Sequence, residues 1–231
     1  MRILAMDTAT SSCSVALWCD ETIVAARREV MSRGQAEALV PMIGDVLAEA
    51  KVTASDLDLL AVTVGPGAFT GLRIGLATAR GMGLAAHVPC LGLTTTEVIA
   101  HAVDANAWQQ GTLLVALDSK RADIYVQTFQ PGLMPISEAS AMDPAILGEW
   151  LQDVPGPINV VGDARELATA ALVEAGLETI VIETPEVPDA GVVAELASRR
   201  WTPEDILESP APLYLRPPDA KLPKDEGRLR R

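Results

Sequence analysis

The sequence predicts an α/β protein of two lobes, with a mixed five-stranded sheet in the first lobe and a smaller second α/β lobe. Three observations lead to this prediction: strands dominate the first 30 residues, helices and strands alternate up to residue 93, and a second set of strands follows a polar stretch at 104–110. A length of 231 residues with 49% hydrophobic residues is enough to bury such a core.

The chain opens with three strands that we expect to form a meander. Residues 3–6 are continuously apolar, as in a strand buried on both faces, and strands at 15–18 and 23–30 follow after short polar turns. Apolar spacing then predicts a helix over 35–50, with Pro41 near its first turn or at a kink.

The rest of the first lobe alternates strands and helices. We predict a strand at 57–64, a turn at Gly65-Pro66-Gly67, a helix over 72–86 and a short strand at 90–93. Thr94 and Glu97 have the spacing of a capping box and should start a third helix. This order of elements is that of the ribonuclease-H-like lobe of the actin and sugar-kinase superfamily (ASKHA).

The second lobe shows a looser pattern. Its predicted elements are strands at 112–117, 124–129, 158–161 and 179–182, and helices at 144–151, 164–175 and 191–200. The last helix could pack back on the first lobe. The predicted domains are therefore 1–103, 104–216 and a flexible basic tail at 217–231, with docking of the tail on RNA or on a partner as the alternative.

Charge and cysteine content exclude several classes of protein. The 18 Lys+Arg against 31 Asp+Glu give a net charge of −13, which disfavours direct binding to nucleic acid. Three cysteines without a Cys-x-x-Cys pair fit a reducing cytoplasm. The N-terminal apolar run is too short for a signal peptide, and no membrane span is predicted.

No catalytic residue, metal site or cofactor is predicted. The two histidines, His87 and His101, lack a partner at metal-binding spacing, and Cys13 lacks a nearby basic group. A peptidase is disfavoured because paired histidines and a Gly-x-Ser-x-Gly elbow are both missing.

Asp7 and Thr8 are weak candidates for nucleotide binding. They follow the first strand, at the place where actin-like kinases hold a metal-bound phosphate. The loop after Asp7 has hydroxyls but no glycine, so Asp7 is better interpreted as a turn or cap residue. A small-molecule kinase or ATPase acting alone is the alternative function.

The glycine-rich segment at 65–75 is the most informative part of the chain. Its turn contains Gly65, Pro66, Gly67, Phe69 and Thr70. One interpretation is that the turn presents backbone N–H groups to an anion. The alternative is that these residues only form the turn and that Thr70 caps the next helix. In that helix Gly71, Gly75, Ala79 and Gly83 form a stripe of small residues. The stripe favours close contact with another helix, of this chain or of a partner.

On these residues the sequence resembles the TsaB (YeaZ) family. The resemblance covers nearly the whole chain and depends on MDTAT at 6–10, GPGAFTGLRIG at 65–75, DSKRADIY at 118–125, VGD at 161–163 and PLYLR at 212–216. Ala68 replaces a usual serine, and Gly34-Gln35-Ala36-Glu37 replaces a usual Gly-His-Ser-Glu, so local hydrogen bonds should differ there.

The resemblance implies a non-catalytic subunit that forms a heterodimer with the catalytic paralogue TsaD and is joined by the ATPase TsaE. The complex adds threonylcarbamoyl to the adenosine next to the anticodon of tRNA, so tRNA would be met only through the complex. The same helices could also form a homodimer. The implied interface comprises Ala38, Met42, Asp45, Gly71, Arg73, Gly75, Thr78, Ala79, Met82 and Gly83.

Overall fold

A computed structural model describes residues 1–104 and 106–216 of the chain. These residues form two sheets, each flanked by helices, which confirms the two-lobed α/β architecture. The predicted tail at 217–231 lies outside the described residues. Among the helices that the structure describes, none has the length and hydropathy needed to cross a membrane.

The first lobe contains a mixed five-stranded sheet in the order β3-β2-β1-β4-β5. β1 pairs antiparallel with β2 and parallel with β4, so the meander is followed by parallel crossovers, as predicted. The strands are β1 (Arg2–Asp7), β2 (Ser12–Cys19), β3 (Thr22–Val30), β4 (Leu59–Gly65) and β5 (Cys90–Thr94). The helices of this part are α1 (Gln35–Ala50), α2 (Phe69–Ala86) and α3 (Thr95–His101).

Helices cover both faces of the first sheet. α1 and α2 bury Leu39, Ile43 and Leu76 on one face, where the apolar side chains of β1, β2 and β4 meet them. The opposite face is also apolar and therefore needs its own cover. That cover is α6 (Ala190–Arg200), whose Val193 and Ala197 pack on the sheet, so the chain returns to the first lobe near its C-terminal end.

The second lobe is built on a sheet in the order β11-β10-β6-β7-β8, with β9 paired to β7. Its core lies between this sheet and the helices α4 and α5. The elements are β6 (Thr112–Asp118), β7 (Ile124–Gln130), β8 (Met134–Pro135), β9 (Ser140–Met142), α4 (Leu147–Leu151), β10 (Ile158–Val161), α5 (Arg165–Glu174) and β11 (Thr179–Val181).

The boundaries of several elements differ from the prediction. α3 starts as predicted, because the Thr94 Oγ1 atom accepts a hydrogen bond from the Glu97 N–H at 3.3 Å. α2 begins at Phe69, three residues before the predicted start. The short strands β8 and β9 had no signal in the sequence, and their pairing to β7 determines them. α1 continues through Pro41, which is exposed on its outer side.

Candidate partner-binding face and interlobe cleft

A cleft of about 550 Å³ separates the two lobes at the carboxyl end of β1. On the first-lobe side it is lined by the loop after β1, including Thr10 and Ser11, and by the start of α2 at Thr70 and Gly71. The second lobe contributes Lys120 and the carboxylates of Asp118 and Asp163.

Asp7 does not line this cleft, because its carboxylate is fully buried within the first lobe. The Thr63 hydroxyl donates to Asp7 Oδ1 at 2.6 Å, the Ala9 N–H donates to the same oxygen at 3.1 Å, and the Ser12 hydroxyl donates to Oδ2 at 3.4 Å. Burial raises the pKa of Asp7 from 3.8 to about 6, although these hydrogen bonds act to lower it. Asp7 therefore holds the turn after β1.

Thr8 connects the end of β1 to α2. Its hydroxyl donates to the Gly71 carbonyl at 2.7 Å, and it is almost fully buried. A Cβ atom at Gly71 would collide with the Thr8 carbonyl, and one at Gly75 would lie only 2.7 Å from Thr8 Oγ1. Glycine at these two positions therefore lets α2 approach β1 closely.

The turn at residues 65–68 rests on the same loop. The Ala68 N–H donates to the Ala9 carbonyl at 2.7 Å, and a Cβ at Gly67 would collide with that carbonyl. The interpretation of Thr70 as a helix cap is wrong: α2 starts at Phe69, its N-cap is Ala68, and no side chain caps it. Thr70 instead lines the cleft.

The second-lobe wall of the cleft carries an ion pair. Asp118 accepts hydrogen bonds from the Lys120 N–H at 2.6 Å and from Lys120 Nζ at 2.8 Å. The hydrogen bond from Lys120 Nζ to the Asp118 carboxylate raises the pKa of Lys120. Burial raises the pKa of Asp163, and Asp163 Oδ1 accepts a hydrogen bond from the Asp118 N–H at 2.7 Å. The lysine charge is therefore partly neutralised within the wall.

A C-terminal segment, residues 209–216, joins the two lobes; we call it the strap. On the first lobe the Leu213 N–H donates to the Val64 carbonyl at 2.7 Å, and Tyr214 stacks on Phe69 with ring centroids 5.2 Å apart. On the second lobe Arg216 forms an ion pair with Asp123. The sequence motif at 212–216 supports the family resemblance. The spacing of its residues along the chain does not reveal that this segment connects the two lobes.

α1 and α2 lie side by side and expose a common surface on the side away from the sheet. This outer helical face contains two large exposed apolar side chains, Val40 at 61% and Leu84 at 81% exposure, and is bordered by the exposed charged residues Glu37, Arg73 and Arg80. Its other members are small or rigid, and a Cβ at Gly44 or Gly81 would meet no atom within 4 Å. The face consists of Val40, Pro41, Gly44 and Ala48 of α1 and Ala77, Gly81, Leu84 and Ala85 of α2.

The predicted interface residues divide between the two sides of these helices. Gly71, Gly75 and Ala79 are buried and point toward the first sheet, and a Cβ at Gly83 would lie 2.8 Å from the Val88 carbonyl. The close contacts of this stripe are therefore with residues of this chain, namely Thr8, Val62 and Val88, and a partner interface formed by these helices stays a prediction. The other predicted positions are half-buried at Ala38, Met42, Thr78 and Met82, and exposed at Asp45 and Arg73.

Sequence reasoning missed the small residues on the outer side of α2. Ala77, Gly81 and Ala85 recur at the same four-residue spacing as the inner stripe. This second stripe was a usable signal, but only the structure shows which of the two faces the sheet. Within residues 1–104 and 106–216 no group of three or more His, Cys, Asp or Glu side chains is arranged to hold a metal ion.

Comparisons with known proteins agree on one family. Residues 24–148 match the protein-family model that is described as "TsaD: tRNA N6-adenosine threonylcarbamoyltransferase". The chain is 34% identical over 227 residues to the tRNA threonylcarbamoyladenosine biosynthesis protein TsaB of Escherichia coli (strain K12), covering 94% of this chain and 95% of that protein. It is 33% identical over 222 residues to an uncharacterized protein of Mycobacterium tuberculosis, covering 95% and 93%.

Solved structures show the same relationship. YeaZ from Pseudomonas aeruginosa superposes with a TM-score of 0.76 at 25% identity, covering 93% of this chain and 99% of that chain. The ROK hexokinase from Thermus thermophilus superposes with a TM-score of 0.51 at 12% identity, covering 86% and 100%. The second likeness shows the fold alone, a two-lobed actin-like fold.

Proposed function

Because this chain belongs to the TsaB (YeaZ) family, we propose that it is a non-catalytic subunit of the complex that adds threonylcarbamoyl to the adenosine next to the anticodon of tRNA. It does so by binding and ordering a catalytic paralogue of the TsaD class. The E. coli relative named for threonylcarbamoyladenosine biosynthesis, aligned over 94% of this chain, supports the process. The family-model match supports a catalytic relative as the partner.

The observation that carries the proposed pairing is the outer helical face. Small residues at Ala77, Gly81 and Ala85 permit another helix to approach closely, and Leu84 provides an exposed apolar side chain beside them. Contiguous apolar surfaces of this kind are typical of protein–protein contacts. The face can therefore pack against two helices of the partner to form a four-helix arrangement.

The chemistry of the cleft supports a non-catalytic role. Asp7 and Thr8 are both buried and hydrogen-bonded within the first lobe. Burial raises the pKa of the Cys13 thiol to about 11, so this cysteine stays protonated and is a poor nucleophile near neutral pH. Asp7, Thr8 and Cys13 therefore serve the packing of the first lobe.

The pairing is tested by placing a charge on the outer helical face. We expect Gly81→Glu and Leu84→Glu to weaken binding to a purified TsaD-class partner at least tenfold, because an unpaired carboxylate would be buried in the contact. Modification of tRNA by the reconstituted complex should fall in parallel. Val173→Glu, which changes an exposed apolar residue on α5, is the matched control and should bind normally.

Two results would contradict the proposal. If Gly81→Glu bound the partner as the wild type does and supported full modification, the face would be wrongly assigned. If the purified chain alone hydrolysed ATP and lost this activity on Asp7→Asn, an actin-like kinase or ATPase would be favoured instead.

Other members of the assembly belong to the same proposal. The ATPase TsaE joins the heterodimer in the cytoplasm, and tRNA binds through the assembled complex rather than to this acidic chain alone. A homodimer through the outer helical face would compete with the catalytic partner. Self-association by this route should therefore disappear when the partner is added in excess.

A further inference from the structure

The outer edge of β3 is an open sheet edge. Within residues 1–104 and 106–216, β3 is the terminal strand of the first sheet, is nine residues long, and pairs only with β2. Among the described residues, none donates or accepts a backbone hydrogen bond on the outer side of this strand. Ile23, Val24 and Val30 are exposed there, Val30 at 74%. Open edges of this length readily accept a further strand.

The direction of the peptide groups is fixed by the end of the strand. The Met31 N–H donates to the Ser11 carbonyl at 3.0 Å and so points toward β2. Peptide groups alternate along a strand, so Ala26, Arg28 and Val30 direct their N–H and C=O groups to the open side. Consistently, the Ala26 carbonyl has no strand partner and accepts a bond from Arg27 Nη1 at 2.8 Å.

The side chains of β3 divide between the two faces of the sheet. Arg27 lies on the α1 side, where Arg27 Nη2 is 2.6 Å from the Glu49 carboxylate, and Glu29 shares this side. Arg28 lies on the α6 side, with Arg28 Nη1 at 3.4 Å from Asp189 Oδ2. Ala26 and Val30 share the side of Arg28 because side chains alternate with a period of two.

One antiparallel register makes this strand complementary to itself. If the two-fold axis passes through Arg28, the open peptide groups of Arg28 face each other, and those of Ala26 face Val30 of the second copy. Arg27 then lies opposite Glu29 of the second copy, in the closely spaced non-hydrogen-bonded position, twice. Shifting the register by one step either way would place Arg27 opposite Arg27, or Glu29 opposite Glu29.

We propose that β3 is a homotypic docking edge, through which two copies of this chain pair antiparallel about Arg28 to form one continuous ten-stranded sheet. The occupant is a second copy because the charge pattern of residues 27–29 is complementary to its own reversed sequence. The two Arg28 side chains, opposite each other, are each neutralised by their own Asp189. The pairing leaves the outer helical face free, so it is compatible with a catalytic partner on each copy.

A charge-swap experiment tests this register directly. We expect the wild type to show a concentration-dependent dimer in sedimentation equilibrium. Arg27→Glu alone and Glu29→Arg alone should each weaken it at least tenfold, because each places like charges opposite one another. An equimolar mixture of the two single variants should restore the dimer as a heterodimer, since both cross-strand pairs then have opposite charge. The double variant R27E/E29R should also dimerise.

A backbone variant and a face variant complete the test. Arg28→Pro removes an N–H on the open side without removing a bond to β2, so it should abolish the dimer and leave the circular dichroism spectrum unchanged. Gly81→Glu should leave the β3 dimer intact, and the charge-swap series is repeated in a Gly81→Glu background so that self-association through the outer helical face does not contribute. The proposal is overturned if the wild type is monomeric at 100 µM or so, if mixing the single variants restores no dimer, or if only Gly81→Glu abolishes it.

Discussion

At the residue scale, Asp7 illustrates how the environment changes the use of a side chain. It follows the first strand of an actin-like lobe, where a carboxylate could face a phosphate, yet three donors from its own lobe bind it. Because it is fully buried, its ionisation is costly, and its pKa is raised to about 6. Asp7 therefore makes the stability of this protein depend on pH.

We expect Asp7→Asn to relieve this dependence. The pKa of Asp7 in the folded state lies above the usual value of 3.8. The free-energy cost of ionising Asp7 therefore appears as the pH rises from 4 to 6 and reaches its full size above pH 6. The stability of Asp7→Asn relative to the wild type should rise by roughly 1 to 3 kcal/mol from pH 4 to pH 7. Urea unfolding at several pH values measures this difference.

Asp45→Asn on the exposed side of α1 is the control for this measurement, since it also removes one negative charge from an acidic chain. Its stability relative to the wild type should change little over the same range. A constant difference between Asp7→Asn and the wild type would show that Asp7 does not titrate there.

At the element scale, α2 combines two small-residue stripes with opposite roles. The inner stripe allows the helix to lie against Thr8 and Val62, and the outer stripe is open to solvent. Glycine disfavours a helix relative to alanine, so the glycines at 71, 75 and 83 of the inner stripe and Gly81 of the outer stripe each need a packing reason. The structure gives that reason for the inner stripe, and the proposed partner gives it for the outer one.

A matched pair of substitutions separates the two stripes. Gly81→Ala should stabilise the protein by up to about 1 kcal/mol, because alanine favours the helix and its Cβ meets no atom. Gly75→Ala has the same gain in helix propensity but places a Cβ 2.7 Å from Thr8 Oγ1, so it should destabilise by about 1 to 3 kcal/mol. Thermal unfolding of both variants checks this. Equal effects would contradict the assignment of faces.

At the scale of the whole molecule, the strap sets the relation between the lobes. It is anchored to the first lobe by the Leu213 N–H and by Tyr214, whose hydroxyl accepts a bond from Arg73 Nε at 3.0 Å. It is anchored to the second lobe by Arg216, which also donates to Ser119 Oγ at 3.1 Å. Two anchors on different lobes hinder opening of the cleft, which is consistent with the proposed role of ordering a partner.

We expect Tyr214→Ala to loosen this connection. Loss of the stacking on Phe69 and of the bond to Arg73 should make the Leu213 amide exchange with solvent roughly tenfold faster, as local opening becomes easier. Amides in the centre of β1 should be unaffected. Ile206→Ala, at a side chain that is 99% exposed shortly before the strap, is the control. Unchanged exchange at Leu213 would show that Tyr214 does not hold the strap.

From local sequence patterns and motifs we could predict the two-lobed fold, the succession of the first five strands along the chain, the start of α3 and the family. These depend on local information: the apolar run at 3–6, the spacing within 35–50 and the Thr94 to Glu97 capping box each specify an element from neighbouring residues. The domain boundaries and the site residues stay predictions.

The direction in which each surface points depends on long-range contacts that sequence patterns do not reveal. Periodicity reveals that α2 has two small faces, but the contact with Thr8 determines that Gly71 and Gly75 face the sheet. Asp7 is close in sequence to a hydroxyl-rich loop, yet Thr63, which is distant in sequence, buries and binds it. The pairing of Tyr214 with Phe69 likewise joins residues 145 positions apart (214 − 69). Such contacts depend on where the whole chain brings residues together, so spacing along the sequence does not specify them.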